Sequence, residues 1–183
     1  MSFLIGVLER GLGTGGQLGV GKPGDTHYVT ARTPDRVTGM PAWMAREGLP
    51  EGDISTGVSG IPWVAQAEKV RDIRTVFDAH PDQSFVLFGD SSHRDPEVYK
   101  EIQALYPDRV LAAFIRKVNN PNPQRVAGLH LITSYAEAAA ILFEKGVLDE
   151  GAARAVMFRA QAEGLTITDA EIEELLTAHR PST

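Results

Sequence analysis

The 183 residues, 43% of them hydrophobic, are enough to bury one substantial core but too few for two comfortable domains. Acidic residues outnumber basic ones 24 to 18, and the resulting net charge of -6 has the wrong sign for a polyphosphate partner, so no nucleic acid is expected. The absence of cysteine removes disulfides, thiolate catalysis and Cys-ligated zinc, leaves carboxylates and histidine for any metal, and agrees with a reducing, cytoplasmic setting.

Met1 to Leu12 reads as an amphipathic helix with Phe3, Leu4, Val7 and Leu8 on its apolar side; the alternative is a strand over Phe3 to Leu8. It has no basic leader or small-residue cleavage site, and no segment reaches the roughly 20 apolar residues of a membrane-spanning helix. Gly11 to Gly24 reads as a flexible loop. Its Gly11, Gly13 and Gly16 match a dinucleotide-type spacing, but no helix follows them. Gly21-Lys22 precedes proline where a phosphate-binding loop needs serine or threonine, and Val58-Ser59-Gly60 lacks the spacing of a nucleophile elbow.

His27 to Ala31 is a β-prone run, and a helix is expected around Met40 to Glu47. A longer helix runs from Gln66 to His80, with Val70, Ile73, Val76 and Phe77 on one face. Ser84 to Phe88 is a continuously apolar strand of the buried, parallel kind, running into Gly89-Asp90. Asp95-Pro96-Glu97 opens a helix to about Tyr106, with aspartate as an acidic cap and proline at the first helical position. Arg109 to Ile115 is a second buried strand, and a short one follows near Leu129 to Ile132. Ser134 and Glu137 form a capping box for a helix closed by Gly146. Two more helices follow, Glu150 to Glu163 and one from the Thr168-Glu171 box. This alternation predicts an α/β fold with a mostly parallel sheet and helices on both faces. The domain is expected over 1-148, with 149-183 as its helical extension.

Ligands of such sheets gather at the carboxyl ends of the strands. Thr30 and Asp90 end strands and Asp95 begins the next helix, so the Gly89 to Asp95 segment points two carboxylates into one loop, as a hard, oxygen-seeking cation requires. Asp90 has little structural reason to follow five apolar strand residues, whereas Asp95 serves equally as a helix cap. Lys69 alone reads as a solvated charge and Thr30 as an ordinary strand residue. His93 is either an exposed loop residue or a neighbour of the metal.

As an ordered set, strand-Thr30, helix-Lys69 and strand-Gly89-Asp90-x4-Asp95 resemble the second, third and fourth motifs of the haloacid dehalogenase superfamily. Phe85-Val86-Leu87-Phe88-Gly89-Asp90-Ser91, then Asp95-Pro96-Glu97-Val98-Tyr99, then Arg109 to Arg116, are similar to the catalytic domain of the actin-patch-associated phosphatidate phosphatase family. The resemblance implies a three-layer Rossmann-like domain and a magnesium-dependent phosphomonoesterase. Thr30 and Lys69 would hold the phosphoryl group, and Asp90 and Asp95 would hold Mg2+ directly or through water. Its substrate would be a phosphorylated small molecule or a phospholipid headgroup.

The family's attacking aspartate lies in an Asp-x-Asp-x-Thr motif on the first strand, and the 183 residues contain no such motif. That strand would lie between Ser84-Phe88 and His27-Ala31, so an open sheet, inviting strand exchange or a homodimer, is expected. The leading expectation is a reading frame that continues upstream of Met1. In the alternative where Phe3 to Leu8 is a strand, Glu9 falls near the nucleophile position. A non-catalytic domain binding a phospholigand or a protein is the runner-up.

Overall fold

A computed structural model describes residues 1-10, 26-59 and 61-181. The glycine-rich stretch from Gly11 to Gly24 and the Glu9 side chain lie outside the described residues. Two units emerge, one of His27-Met44 with Gly52-Ile132, the other of Met1-Thr26, Ala45-Glu51 and Thr133-Thr183.

The first unit is the α/β one. Its strands are β1 (His27-Thr30), β2 (Asp53-Thr56), β3 (Phe85-Asp90), β4 (Val110-Arg116) and β5 (His130-Ile132), all paired in parallel. A 3-10 turn at Pro34-Arg36 follows β1, and helix α2 (Met40-Arg46) leads out of the unit after Met44. Helix α3 (Pro62-Ala79) joins β2 to β3, α4 (Asp95-Leu105) joins β3 to β4, and the single turn α5 (Pro123-Val126) precedes β5. β2 and α5 have no counterpart among the sequence expectations. The strands form two sheets, β1-β2 and β3-β4-β5, and no ladder joins β1 to β3 among the described residues. The break falls where the first strand was expected to be missing.

An apolar core joins both sheets of the unit to α3 and α4. Val70, Ile73 and Phe77 of α3 and Val98, Tyr99 and Ile102 of α4 bury against Ala113 and Ile115 of β4, and Val29 of β1 and Phe85 and Leu87 of β3 join them. Both sheets therefore feed the same apolar layer beneath α3 and α4. Arg109 closes the far end, donating to the carbonyls of Phe77, His80 and Gln83 at the end of α3. β4, paired on both sides, buries Ala112 through Ile115. β3, expected to be equally buried, is only half-buried at all six positions, because β4 is its one partner among the described residues.

The second unit is helical. Helix α1 (Ser2-Arg10) buries Leu4 and Val7, which settles the choice between helix and strand for this segment. α6 (Tyr135-Glu144), α7 (Glu150-Ala162) and α8 (Asp169-Ala178) pack through alanines and Leu142, Val156, Met157, Ile172 and Leu176. Their starts are capped by Ser134, Asp149 and Thr168, the last in a complete capping box with Glu171. The boundary read at 148/149 from sequence falls inside this unit, which takes in α6 as well. No helix among the described residues is long and apolar enough to cross a membrane.

Candidate functional site

β3 ends in Gly89-Asp90 and α4 starts five residues later, so a short loop keeps both aspartates at the carboxyl end of the sheet. Asp95 was expected to cap α4. It does not: Arg94 occupies the cap position, and Asp95 is the first helical residue. Its carboxylate turns back to the strand, where Oδ2 accepts from the Asp90 amide at 3.1 Å and Oδ1 lies 2.5 Å from the Lys69 ammonium. The two side chains are 11% and 18% exposed, so the pair is shielded and the ammonium is a stronger partner than the helix's own amides. Lys69, which alone reads as a solvated charge, is thus a shielded partner of Asp95. Gly89 makes room for this fold-back, since a Cβ there would lie 2.7 Å from Asp95 Cβ and Oδ2.

Asp90 faces outward from the same loop. Partial burial works against its ionisation. Hydrogen bonds from the Ser92 hydroxyl and amide, with the charges of His93 and Lys69, outweigh it and hold the carboxyl below the usual aspartate range. Both Ser92 donors go to Oδ1, and the His93 ring stands 3.9 Å from the same oxygen. Oδ2 takes part in no hydrogen bond among the described residues.

No three His, Asp or Glu side chains come together as a ready cage for a metal ion among the described residues. The rim offers one half-buried, ionised carboxylate with a free oxygen at Asp90, and a second carboxylate at Asp95 committed to Lys69 and a backbone amide. That set fits magnesium, which keeps most of its waters and needs only one or two carboxylates beside a substrate phosphate. Asp90 Oδ2 is the oxygen that would be open to such an ion, and Asp95 orients the ammonium and the strand end.

Residues given no role of their own in the sequence reading support the loop. Ser91 is fully buried, donates to Asn119 Oδ1 at 2.8 Å and accepts from the Val118 amide at 3.0 Å, which fastens the β3 loop to the β4 loop. Glu97 makes a two-point ion pair with Arg125, whose guanidinium also reaches the His93 carbonyl. That pairing, against a smaller opposing effect of burial, keeps Glu97 below the usual glutamate range. Tyr99 donates to the Phe88 carbonyl at 2.6 Å and ties α4 to β3. Glu68, 6% exposed, accepts from the Val58 amide after β2. Consecutive residues of α3 therefore hold the loop ends of both sheets, Glu68 that of β2 and Lys69 that of β3.

Thr30 stands at the carboxyl end of β1, in register with Thr56. Its hydroxyl accepts from the Arg32 amide at 3.2 Å. Gly57 packs tightly on the same turn, donating to the Arg32 carbonyl. No hydrogen bond or ion pair joins Thr30 to Lys69, Asp90 or Asp95. The structure thus brings three of the four expected residues into one bonded cluster, with Thr30 ending a strand that packs on the same helix, α3. A groove of about 450 Å³ in the helical unit, lined by Glu137, Leu165, Ile167, Glu171 and Leu175 among others, contains none of the four.

A family profile described as the catalytic domain of phosphatidate phosphatase APP1 matches residues 23-117, just over half of the chain, with Thr30, Lys69, Asp90 and Asp95 all inside the match. The chain belongs to this family. It is a family of phosphatidate-phosphatase-like phosphatases, as the Gly89-Asp90-Ser91 and Asp95-Pro96-Glu97-Val98-Tyr99 segments suggested. An uncharacterized protein of Schizosaccharomyces pombe is 37% identical over 54 residues, which cover 30% of this chain and 9% of that protein. The match thus spans only a small part of that relative's length. No solved structure matches the chain significantly.

Proposed function

We propose that the α/β unit carries the phosphoryl-binding and magnesium-binding part of a phosphomonoesterase site. The observation that carries the proposal is the Lys69-Asp95 pair bonded to the Asp90 amide, beneath a carboxylate with one free oxygen, at the carboxyl end of a parallel sheet. Lys69 supplies a fixed positive charge that Asp95 holds in place beside the strand end, where it would attract an anion. Asp90 stays ionised because Ser92 satisfies one of its oxygens, leaving the other for the metal. Magnesium, when bound there, supplies positive charge against the phosphoryl oxygens. Thr30 contributes a hydroxyl from the neighbouring sheet. The ligand is a phosphorylated small molecule or a phospholipid headgroup.

The attacking group is not among these residues. With no Asp-x-Asp-x-Thr in the chain, hydrolysis by the 183 residues is expected to be poor or nil while magnesium-dependent phosphate binding remains. The same absence favours a second reading, a domain that binds a phospholigand without turning it over. Hydrolysis of para-nitrophenyl phosphate, measured with magnesium and with EDTA beside calorimetric binding of orthophosphate, tests both. Binding without turnover is the expected result. Robust EDTA-sensitive turnover would mean that another carboxylate attacks, and absence of phosphate binding would overturn the site.

A further inference from the structure

The rim holds one more cation next to Asp90. Arg116 ends β4 in direct register with Asp90. Ala113 and Ile115 point into the α3-α4 core, so Phe114 lies on the opposite face, stacked on Phe88 with ring centroids 5.1 Å apart. Two residues further, pleating brings Asp90 and Arg116 out on that same face, one strand spacing apart, about 4.8 Å. Neighbours of opposite charge at that spacing ordinarily pair.

These two do not. Asp90 Oδ1 is held by the Ser92 amide and hydroxyl, and the exposed Arg116 guanidinium makes no hydrogen bond or ion pair with any described residue. Its backbone is nonetheless fixed. The Arg116 carbonyl accepts from the Ser91 amide at 3.0 Å, the Lys117 amide donates to the Ile132 carbonyl at 2.8 Å, and buried Ser91 locks the following loop through Asn119. Lys69, by contrast, is ion-paired with Asp95. A guanidinium on a fixed strand end, beside the proposed metal ligand and without an ion-pair contact to any described residue, is suited to a two-point contact with an incoming oxyanion.

Resting on the proposed phosphoryl site, we infer that Arg116 is its specificity residue: it takes a second anionic group of the substrate. The substrate class is then a phosphomonoester bearing a carboxylate or a further phosphate a short spacer away, in preference to one whose remainder is neutral.

Isothermal titration of the full chain in magnesium, with orthophosphate and with 2-phosphoglycolate as probes, tests this. Phosphoglycolate is expected to bind more tightly than orthophosphate, and Arg116→Gln to reduce that preference about tenfold, the worth of one charge-assisted contact. Arg116→Lys, which keeps the charge, is expected to retain part of the preference, and circular dichroism melts check that the exposed substitutions leave the fold intact. Equal binding of the two probes by the unmodified chain, or an unchanged preference in Arg116→Gln, overturns the inference and leaves the phosphoryl site standing. If neither probe binds the unmodified chain, the site itself falls, and the inference with it.

Discussion

The carboxyl ends of the two sheets are built differently. At the β3-β4 end, Lys69, Asp95, Ser91 and Glu97 are tied by ion pairs and hydrogen bonds that cross from helix to strand and from one loop to the next. At the β1-β2 end, the Thr30 hydroxyl reaches only two residues along its own chain, and Glu68 and Gly57 supply the longer ties. A carboxylate taken out of water needs a partner, and in finding one it fixes the backbone around it. A threonine hydroxyl at a strand end carries no such demand. The Lys69-Asp95 cluster is therefore held in place by its own bonds, whereas the Thr30 hydroxyl has one local hydrogen bond, from the Arg32 amide.

Four substitutions sharpen or break this contrast. Lys69→Met should have the largest effect, because it strands the nearly buried Asp95 carboxylate; a loss of about 3 kcal/mol in urea denaturation is expected. A change under about 1 kcal/mol would mean that the pair is not structural. Gly89→Ala comes next, at about 2 kcal/mol, since its Cβ would press on Asp95. A melting temperature equal to the unmodified chain's would show that the fold-back is loose.

Glu97→Gln should cost less than about 1 kcal/mol at neutral pH. Arg125 lowers the pKa of Glu97 on folding, so its contribution is present above the ordinary glutamate range and is lost as pH falls through the lowered value. The stability difference between the two proteins should therefore shrink on acidification, and a difference that grows instead would contradict the pairing. Thr30→Val should be the mildest for stability, within about 0.5 kcal/mol, because it removes one exposed local hydrogen bond. Orthophosphate affinity in magnesium should nevertheless fall, and an unchanged affinity would remove Thr30 from the site.

Legibility in the sequence follows the same physics. Phe85 to Phe88 and Val110 to Ile115 announce strands because long apolar runs have few other uses, and the helices from Ser134 onward announce their starts through their caps. β2 escapes because Asp53-Ile54-Ser55-Thr56 offers one strongly apolar residue between polar neighbours. Its pairing with β1 is decided by tertiary contact, not by local pattern. The cap role of Asp95 was misread, because aspartate before proline looks the same whether it caps its own helix or turns back to a lysine 26 residues earlier. Glu68 left no signal, since a buried glutamate that accepts one amide is indistinguishable in sequence from a solvated helix position. The grouping of α6 with α7 and α8 was likewise hidden, because its alanine-rich face does not specify which neighbour it meets.

The most direct test of the central claim, that Lys69, Asp90 and Asp95 form one anion- and metal-binding rim, is calorimetric titration of orthophosphate into the unmodified chain and Asp90→Asn, each with and without magnesium. The account predicts binding by the unmodified chain that requires magnesium and a loss of that requirement, with weaker binding, in Asp90→Asn. Identical magnesium-dependent binding by the two proteins would contradict it.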